Sequence, residues 1–301
     1  MTTIEPYEHL DKKAIESLSL SNEDRIDFIR QGTWFNLGHV KEVLEKLDNL
    51  LNSPKQTRMP CLLIYGPPYS GKTSIVEHFV GLNAPDIRPE IEKTYAPVVM
   101  VEAPPKPDYS DLYSRILDKL FVPYKLSARA PEKYSLVKKH FMELDVKVLI
   151  IDEIQHLLAG GLKRQQEFRN ALKSITNETK VCIVAVGIQD ALYAIHADQQ
   201  LSSRFPAYEL PIWGIGKELG TLLKTFEKRT PLKKPSRLYE VLLMTEIYNR
   251  TESNLGDIFE FLKEAAIHAI KSGEECINQK TINSLVWTPP SKRGKAQNRR
   301  A

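Results

Sequence analysis

The chain has 301 residues, 42% hydrophobic and 27% charged, with 42 Lys+Arg against 38 Asp+Glu. That is enough chain for a full core, and one large domain beside a small one is the natural division. A net charge of +4 is too mild to argue for nucleic acid, so the placement of charge matters more than its sum. No run of ~18 apolar residues occurs, so no transmembrane helix is expected. Met1-Thr2-Thr3-Ile4-Glu5-Pro6 lacks a basic and an apolar region, so no signal peptide is expected either. Two of the three cysteines, Cys61 and Cys182, sit in apolar runs. With Cys276 they read as small residues of a reducing compartment, not as a disulfide or metal framework.

Residues 1–35 are polar and irregular, with short helical pieces and an aromatic pair at Trp34 and Phe35. That pair either covers an adenine, as such segments often do in P-loop ATPases, or packs under the first helix. Val40, Val43, Leu44, Leu47, Leu50 and Leu51 give residues 38–52 a helical period, which Pro54 ends. Cys61–Tyr65 is a short buried strand and Ser74–Val80 a helix; Asn83 to Pro97 reads as a loop. Val98–Val101 is a second strand. A helix follows it, capped by Asp108 or Ser110, with Leu112, Ile116, Leu117 and Leu120 on its apolar face. Val146–Ile151 and Val181–Gly187 are further buried strands, separated by a helix over about 163–176, and a short last strand lies within Pro206 to Pro211. Strands that are apolar throughout and alternate with helices predict an α/β fold with a parallel five-stranded sheet covered on both faces. From about residue 215 only helices appear: Gly216–Arg229, Arg237–Asn249, Leu255–Lys271 and Gln279–Val286. The expected division is an N-terminal extension (1–19), an ATP-binding α/β domain (20–213), a small all-helical lid (214–288) and a basic disordered tail (289–301) holding Lys292, Arg293, Lys295, Arg299 and Arg300.

Three stretches carry chemistry. The first is Gly66-Pro67-Pro68-Tyr69-Ser70-Gly71-Lys72-Thr73, a G-x-x-x-x-G-K-T loop between a strand and a helix. Gly66 and Gly71 let backbone N–H groups turn inward around a phosphate, and the helix start adds its dipole. Lys72 is placed to reach the β- and γ-phosphates of ATP, and the Thr73 hydroxyl to ligate Mg²⁺. Ser74 completes the run of candidate nucleotide contacts. The second stretch is Val148-Leu149-Ile150-Ile151-Asp152-Glu153, a strand whose tip holds two carboxylates where open α/β sheets bind ligands. Asp152 suits Mg²⁺, and Glu153 suits a general base acting on water. That water-activating acid argues against a small-molecule kinase. The third stretch is Leu201-Ser202-Ser203-Arg204-Phe205-Pro206. Arg204 is either an arginine finger for a neighbouring subunit's γ-phosphate or a surface arginine in a salt bridge.

Together these blocks, at these spacings and followed by a helical lid, resemble the AAA+ ATPase superfamily. Within it the chain is similar to the TniB/TnsC family of DNA transposition regulators. The resemblance rests on Asp24-Arg25-Ile26 through Trp34, Ile151-Asp152-Glu153-Ile154-Gln155-His156, Val186-Gly187-Ile188, and Ser203-Arg204-Phe205 running into Glu209-Leu210-Pro211-Ile212-Trp213. It covers about residues 20–285. It implies a bacterial, cytoplasmic, ATP-dependent homo-oligomer, a ring or helical filament on double-stranded DNA, that connects a target-selection protein of the TniQ type to a DDE transposase. It also directs attention to Lys106, Lys119, Lys125 and Arg129, which lie where similar proteins line the inner channel; they would touch phosphates and read no sequence. Two positions depart from the superfamily pattern. At sensor 1, Gly187-Ile188-Gln189 offers only Gln189; at sensor 2, Asn254-Leu255-Gly256-Asp257-Ile258 offers no arginine. Slow hydrolysis, with ATP serving mainly to switch assembly, is the expectation. Two other readings stay open. A replication-type AAA+ initiator or loader should carry a winged helix after the lid, for which residues 289–301 are too short. The other is a scaffold that binds nucleotide without hydrolysing it.

Overall fold

The structure is a computed structural model, and it describes residues 7–32, 34–35, 38–158 and 160–293. In chain order the elements are α1 (Lys12–Ser17), α2 (Asn22–Gln31), α3 (Gly38–Leu51), β1 (Leu62–Tyr65), α4 (Lys72–Leu82), β2 (Asp86–Arg88), β3 (Lys93–Tyr95), β4 (Val98–Glu102), α5 (Tyr109–Lys119) and α6 (Ala130–Glu143). Then come β5 (Val148–Asp152), α7 (Leu162–Thr179), β6 (Cys182–Gly187), α8 (Gln189–His196), α9 (Gln199–Ser202) and β7 (Ala207–Glu209). Last are α10 (Lys217–Arg229), α11 (Val241–Thr251), α12 (Leu255–Lys271), α13 (Gln279–Ser284) and α14 (Pro290–Arg293). Contacts divide the chain into two compact units, Gly38–Pro211 and Met1–Leu37 with Ile212–Ala301.

The first unit is the α/β body. Its five strands run in the order β4-β5-β6-β1-β7, all parallel. Each of β1, β5 and β6 is buried along its whole length, which is why these segments are apolar at every position rather than at alternate ones. Leu63, Leu149, Ile151, Ile183 and Ala185 face one side, in one core with Leu112, Ile116, Val137, Phe141, Phe168 and Leu172 of α5, α6 and α7. On α3 the Leu50 carbonyl lies 3.5 Å from Cys182 Sγ, and Cys61 and Cys182 are both buried thiols. The register sets Tyr65 level with Gly187 and Glu209, and Glu102 level with Asp152. Three strand ends therefore stop together at one edge of the sheet.

Two features of this unit depart from the sequence reading. Residues 83–97, read as a loop, contain the antiparallel hairpin β2–β3, with Asp86 opposite Tyr95. The hairpin is short and largely exposed, so it carries no apolar alternation; the Arg88 guanidinium and Lys93 ammonium instead lie over the Tyr95 ring, at 4.7 and 4.6 Å from its centroid. Helices α8 and α9 also escaped the pattern. Asp198 caps α9 by accepting from the Gln200 and Leu201 amides.

The second unit is all-helical among its described residues. Residues 20–37, expected in the α/β domain, belong here. The reason is Arg25, a buried guanidinium on α2. It donates to both carboxylate oxygens of Glu275, at 2.9 and 2.5 Å, and to the Pro231 carbonyl at 2.6 and 3.2 Å. Phe35 stacks on Phe226 of α10 and Phe259 of α12, with centroids 6.2 and 4.7 Å away, so its ring packs on two helices of this unit that the sequence reading did not name as its partners. The tail expected to be disordered begins as α14: Arg293 pairs with Asp257 at 2.5 Å and lies over Trp287, and Ser291 Oγ bonds Glu252. The remaining tail residues, Lys295, Arg299 and Arg300 among them, lie outside the described residues.

Burial works against the Glu275 carboxylate, but hydrogen bonds from Arg25 and the Lys233 amide outweigh it and hold its pKa below the ordinary 4.5. A lowered folded pKa gives stability that is present above the unfolded value and lost as pH falls through the folded one. Arg25→Ala should therefore cost about 3–5 kcal/mol, because it strands a buried carboxylate. Lys233, half exposed and 3.8 Å away, compensates little. Urea unfolding at neutral pH checks this; a loss under ~1 kcal/mol would contradict it.

Candidate nucleotide-binding site

The Gly66–Thr73 loop links the end of β1 to the start of α4. A Cβ on Gly66 would stand 3.2 Å from Leu210 Cβ and 3.3 Å from Ser70 Oγ, so a side chain at the loop's first turn would crowd both neighbours. Tyr69 (φ +58°) and Gly71 (φ +91°) are both left-handed, which folds the chain back on itself. Gly71 occupies the N-cap of α4 with no side-chain cap, leaving the first-turn amides for an anion. Ser70 is buried, while Pro67, Pro68, Tyr69, Thr73 and Ser74 are exposed at the mouth.

Lys72 is buried, and its ammonium donates to the Gly66 carbonyl at 3.0 Å, the Pro67 carbonyl at 2.7 Å and Ser70 Oγ at 3.3 Å. These are three neutral acceptors, all of them oxygens of the loop itself. Burial pushes the Lys72 pKa down, and the charges of Glu153 and Asp152 act against that. Across the site, Thr73 Oγ1 donates to Asp152 Oδ2 at 2.7 Å, and the Glu153 amide donates to Asp152 Oδ1 at 2.8 Å. A hydroxyl and a carboxylate in contact at the end of the loop form the oxygen pair that Mg²⁺ takes beside a nucleotide. The loop, the cation and this pair fit Mg-ATP.

Glu153 has a left-handed backbone (φ +54°) just past the tip of β5. Its carboxylate accepts from Gln155 Nε2, and Gln155 Oε1 accepts from the Ile188 amide at 3.3 Å. Gln189, named from the sequence at the sensor-1 position, is the exposed first residue of α8. The polar group standing at the end of β6 is instead Gln155. Nothing in periodicity marks it; only its place two residues after Glu153, on a tight 3-10 turn (Ile154–Leu158), could have.

Arg204 lies elsewhere. Its carbonyl accepts from the Cys61 amide at the start of β1, whereas the loop leaves the end of β1, roughly 15 Å away at the rise of an extended strand. Its guanidinium bonds Thr176 Oγ1 at 3.1 Å and Asn177 Oδ1 at 2.9 Å, two neutral partners on α7, and its Nε is buried with no partner. Among the described residues it makes no salt bridge of the kind a surface arginine would make. The four basic candidates are all exposed. Lys133, one turn into α6, reaches Ser114 and Ser110 near the start of α5. Arg129, the N-cap of α6, and Lys106 thus lie toward the start of α5, Lys119 is at its far end, and Lys125 is in the connection between the helices.

The family model described as "Bacterial TniB protein" matches residues 25–215. The chain belongs to the TniB family. The matched stretch holds the phosphate loop, Asp152, Glu153 and Arg204 of this TniB-family chain. A search of curated proteins finds no match. Among solved structures it resembles Cdc6p from Pyrobaculum aerophilum (TM-score 0.61, 18% identity, 83% of this chain and 67% of that one). It also resembles the ORC2 protein of Aeropyrum pernix in ADPNP and ADP complexes (TM-score 0.59, 15% identity, 81% and 65%) and the ORC1 protein of the same organism in complex with DNA (0.58, 18%, 83% and 65%). The TniB-family chain thus spans about 65% of the length of the ORC proteins. At these identities the likeness is one of fold, the AAA+ fold.

Lys72→Ala removes the one cation bonded inside the loop. ATP affinity, measured by displacement of a fluorescent analogue, should fall at least roughly 100-fold, or about 2.7 kcal/mol. Unchanged affinity would contradict the nucleotide assignment.

Proposed function

We propose that this TniB-family chain is an ATPase whose site is completed by a second copy on double-stranded DNA, and that it regulates transposition. One observation carries the reading: the phosphate loop with Asp152 and Glu153 stands at one end of the sheet, and Arg204 at the other. Its own Arg204 is out of reach of its own nucleotide, so a finger role requires a neighbour. The roles then follow from position. Gly66 to Ser74 cradle the phosphates, with Lys72 exchanging its loop acceptors for phosphate oxygens. Thr73 and Asp152 hold Mg²⁺, which supplies positive charge at the phosphate oxygens when bound. Glu153 accepts a proton from the attacking water. A neighbour's Arg204 leaves Thr176 and Asn177 for the γ-phosphate.

The DNA part is supported by the family match and by a related fold solved in complex with DNA. Lys106, Lys125 and Arg129 remain candidate phosphate contacts, and Lys119, at the other end of α5, is the weakest of the four. The DDE transposase and a TniQ-type target-selection protein follow from family membership, as does a ring or filament. A bacterial setting follows from family membership and a cytoplasmic one from the proposed DNA partner; among the described residues no helix is long and apolar enough to cross a membrane. The ORC and Cdc6 likeness favours a second reading, a replication-type initiator, but the match to the TniB family is the more specific of the two.

Mixing tests the shared site. Arg204→Ala keeps an intact loop and Lys72→Ala keeps an intact finger, so a mixed oligomer contains junctions with one good half from each. Each mutant alone should hydrolyse ATP at least tenfold more slowly than wild type on duplex DNA, and the mixture should regain part of that loss. Co-assembly without recovery would overturn the trans role of Arg204.

A further inference from the structure

Gln155 belongs to no part of the machinery assigned so far, yet its side chain joins two of that machinery's strand ends. Its Nε2 donates to Glu153 Oε2, and its Oε1 accepts from the Ile188 amide. Only this orientation of the amide works. Flipped, it would set an oxygen against a carboxylate and an NH₂ against an N–H. The space it fills is left by a glycine. A Cβ on Gly187 would stand 2.5 Å from Gln155 Oε1, 2.8 Å from Ala191 Cβ and 3.1 Å from Ile154 Cγ2. Gly187 is also level with Tyr65 at the end of β1, and its carbonyl accepts from the Gly66 amide at 3.3 Å. A hydrogen-bonded path therefore runs from the first residue of the phosphate loop, through the end of β6 and the Gln155 amide, to the carboxylate of Glu153.

We propose that Gln155 is a positioning residue that holds Glu153 in the site. This rests on the reading of Glu153 as the base. Glu153 needs such a hold. It lies past the last strand residue in a left-handed conformation, on a turn that leaves its long side chain several rotamers. With Oε2 taken by the amide, the carboxylate remains close enough to Lys72 for its charge to act on the ammonium, and Oε1 makes no bond to Gln155. An amide suits the task because it carries a donor for the carboxylate and an acceptor for the backbone on one rigid group. It also adds no charge that would compete with Asp152 for a cation.

The test is Gln155→Glu. This variant keeps the length, the volume and an oxygen for the Ile188 amide, and sets a carboxylate oxygen where the N–H faced Glu153; Gln155→Asn, which adds no charge, controls for the new charge. Single-turnover and steady-state ATP hydrolysis on duplex DNA are compared for wild type, Gln155→Glu, Glu153→Gln and the double variant. Expected is a kcat at least tenfold lower in Gln155→Glu, with KM for ATP within twofold and the unfolding midpoint unmoved. In the Glu153→Gln background the second change should then cost nothing more, since the group it positions is gone. Gln155→Asn, which keeps the amide but is one methylene too short, should lose kcat in the same way and serves if the glutamate variant fails to fold. Glu153→Gln inactive with Gln155→Glu at the wild-type rate would overturn the role of Gln155 alone. A fall confined to KM or to the unfolding midpoint would mark Gln155 as structural and overturn it too. Glu153→Gln at the wild-type rate, or a wild type with no turnover, would overturn the base assignment first and this inference with it.

Discussion

Everything at the candidate site depends on strands that stop level. The parallel register sets Tyr65 beside Gly187, and β5 runs beside β6 on the other side, so the loop after β1 and the acids at the tip of β5 flank the end of β6. That arrangement makes an unusual charge group tolerable. A buried ammonium, a buried carboxylate and a second carboxylate lie close together, each otherwise costly to take from water. Lys72 is satisfied by three loop oxygens and Asp152 by a hydroxyl and an amide. A nucleotide phosphate would meet the uncapped first-turn amides of α4, with the Lys72 ammonium held beside them by the loop's own oxygens.

Much of this was legible in the sequence, for a physical reason. A strand buried on both faces must be apolar throughout, so β1, β5 and β6 announce themselves. Gly66 and Gly71 mark the loop, because a Cβ at the first would crowd Leu210 and Ser70 and the second has a left-handed backbone. The four larger helices after residue 215 showed a clear period. What stayed hidden owes its structure to contacts that leave no pattern. The hairpin at 86–95 is held by cations on a tyrosine ring. Residues 20–37 join the helical unit through Arg25, whose partner Glu275 is 250 positions away. The start of the basic tail is held by Arg293 on Asp257 and by the Ser291 amide and hydroxyl on Glu252. Gln155 was written in the sequence beside Glu153, but its meaning depends on Ile188 and on the space above Gly187, which only the fold supplies.

The two ends of the sheet carry different halves of the proposed chemistry, and this links structure to assembly. Arg204 is docked on Thr176 and Asn177, where two neutral hydrogen bonds hold it at modest cost to release. A γ-phosphate on another copy would offer it a charged partner instead. Nucleotide would then favour association, because it adds a contact that only the assembled form makes, and DNA would favour it by holding copies side by side.

The most direct measurement is ATP turnover per subunit as a function of protein concentration, with saturating ATP and excess duplex DNA. A site shared between copies should give a rate per subunit that rises with concentration and levels off once the copies are assembled. A rate per subunit that stays constant down to concentrations where the chain is monomeric would contradict it, since each copy would then hold a complete site of its own.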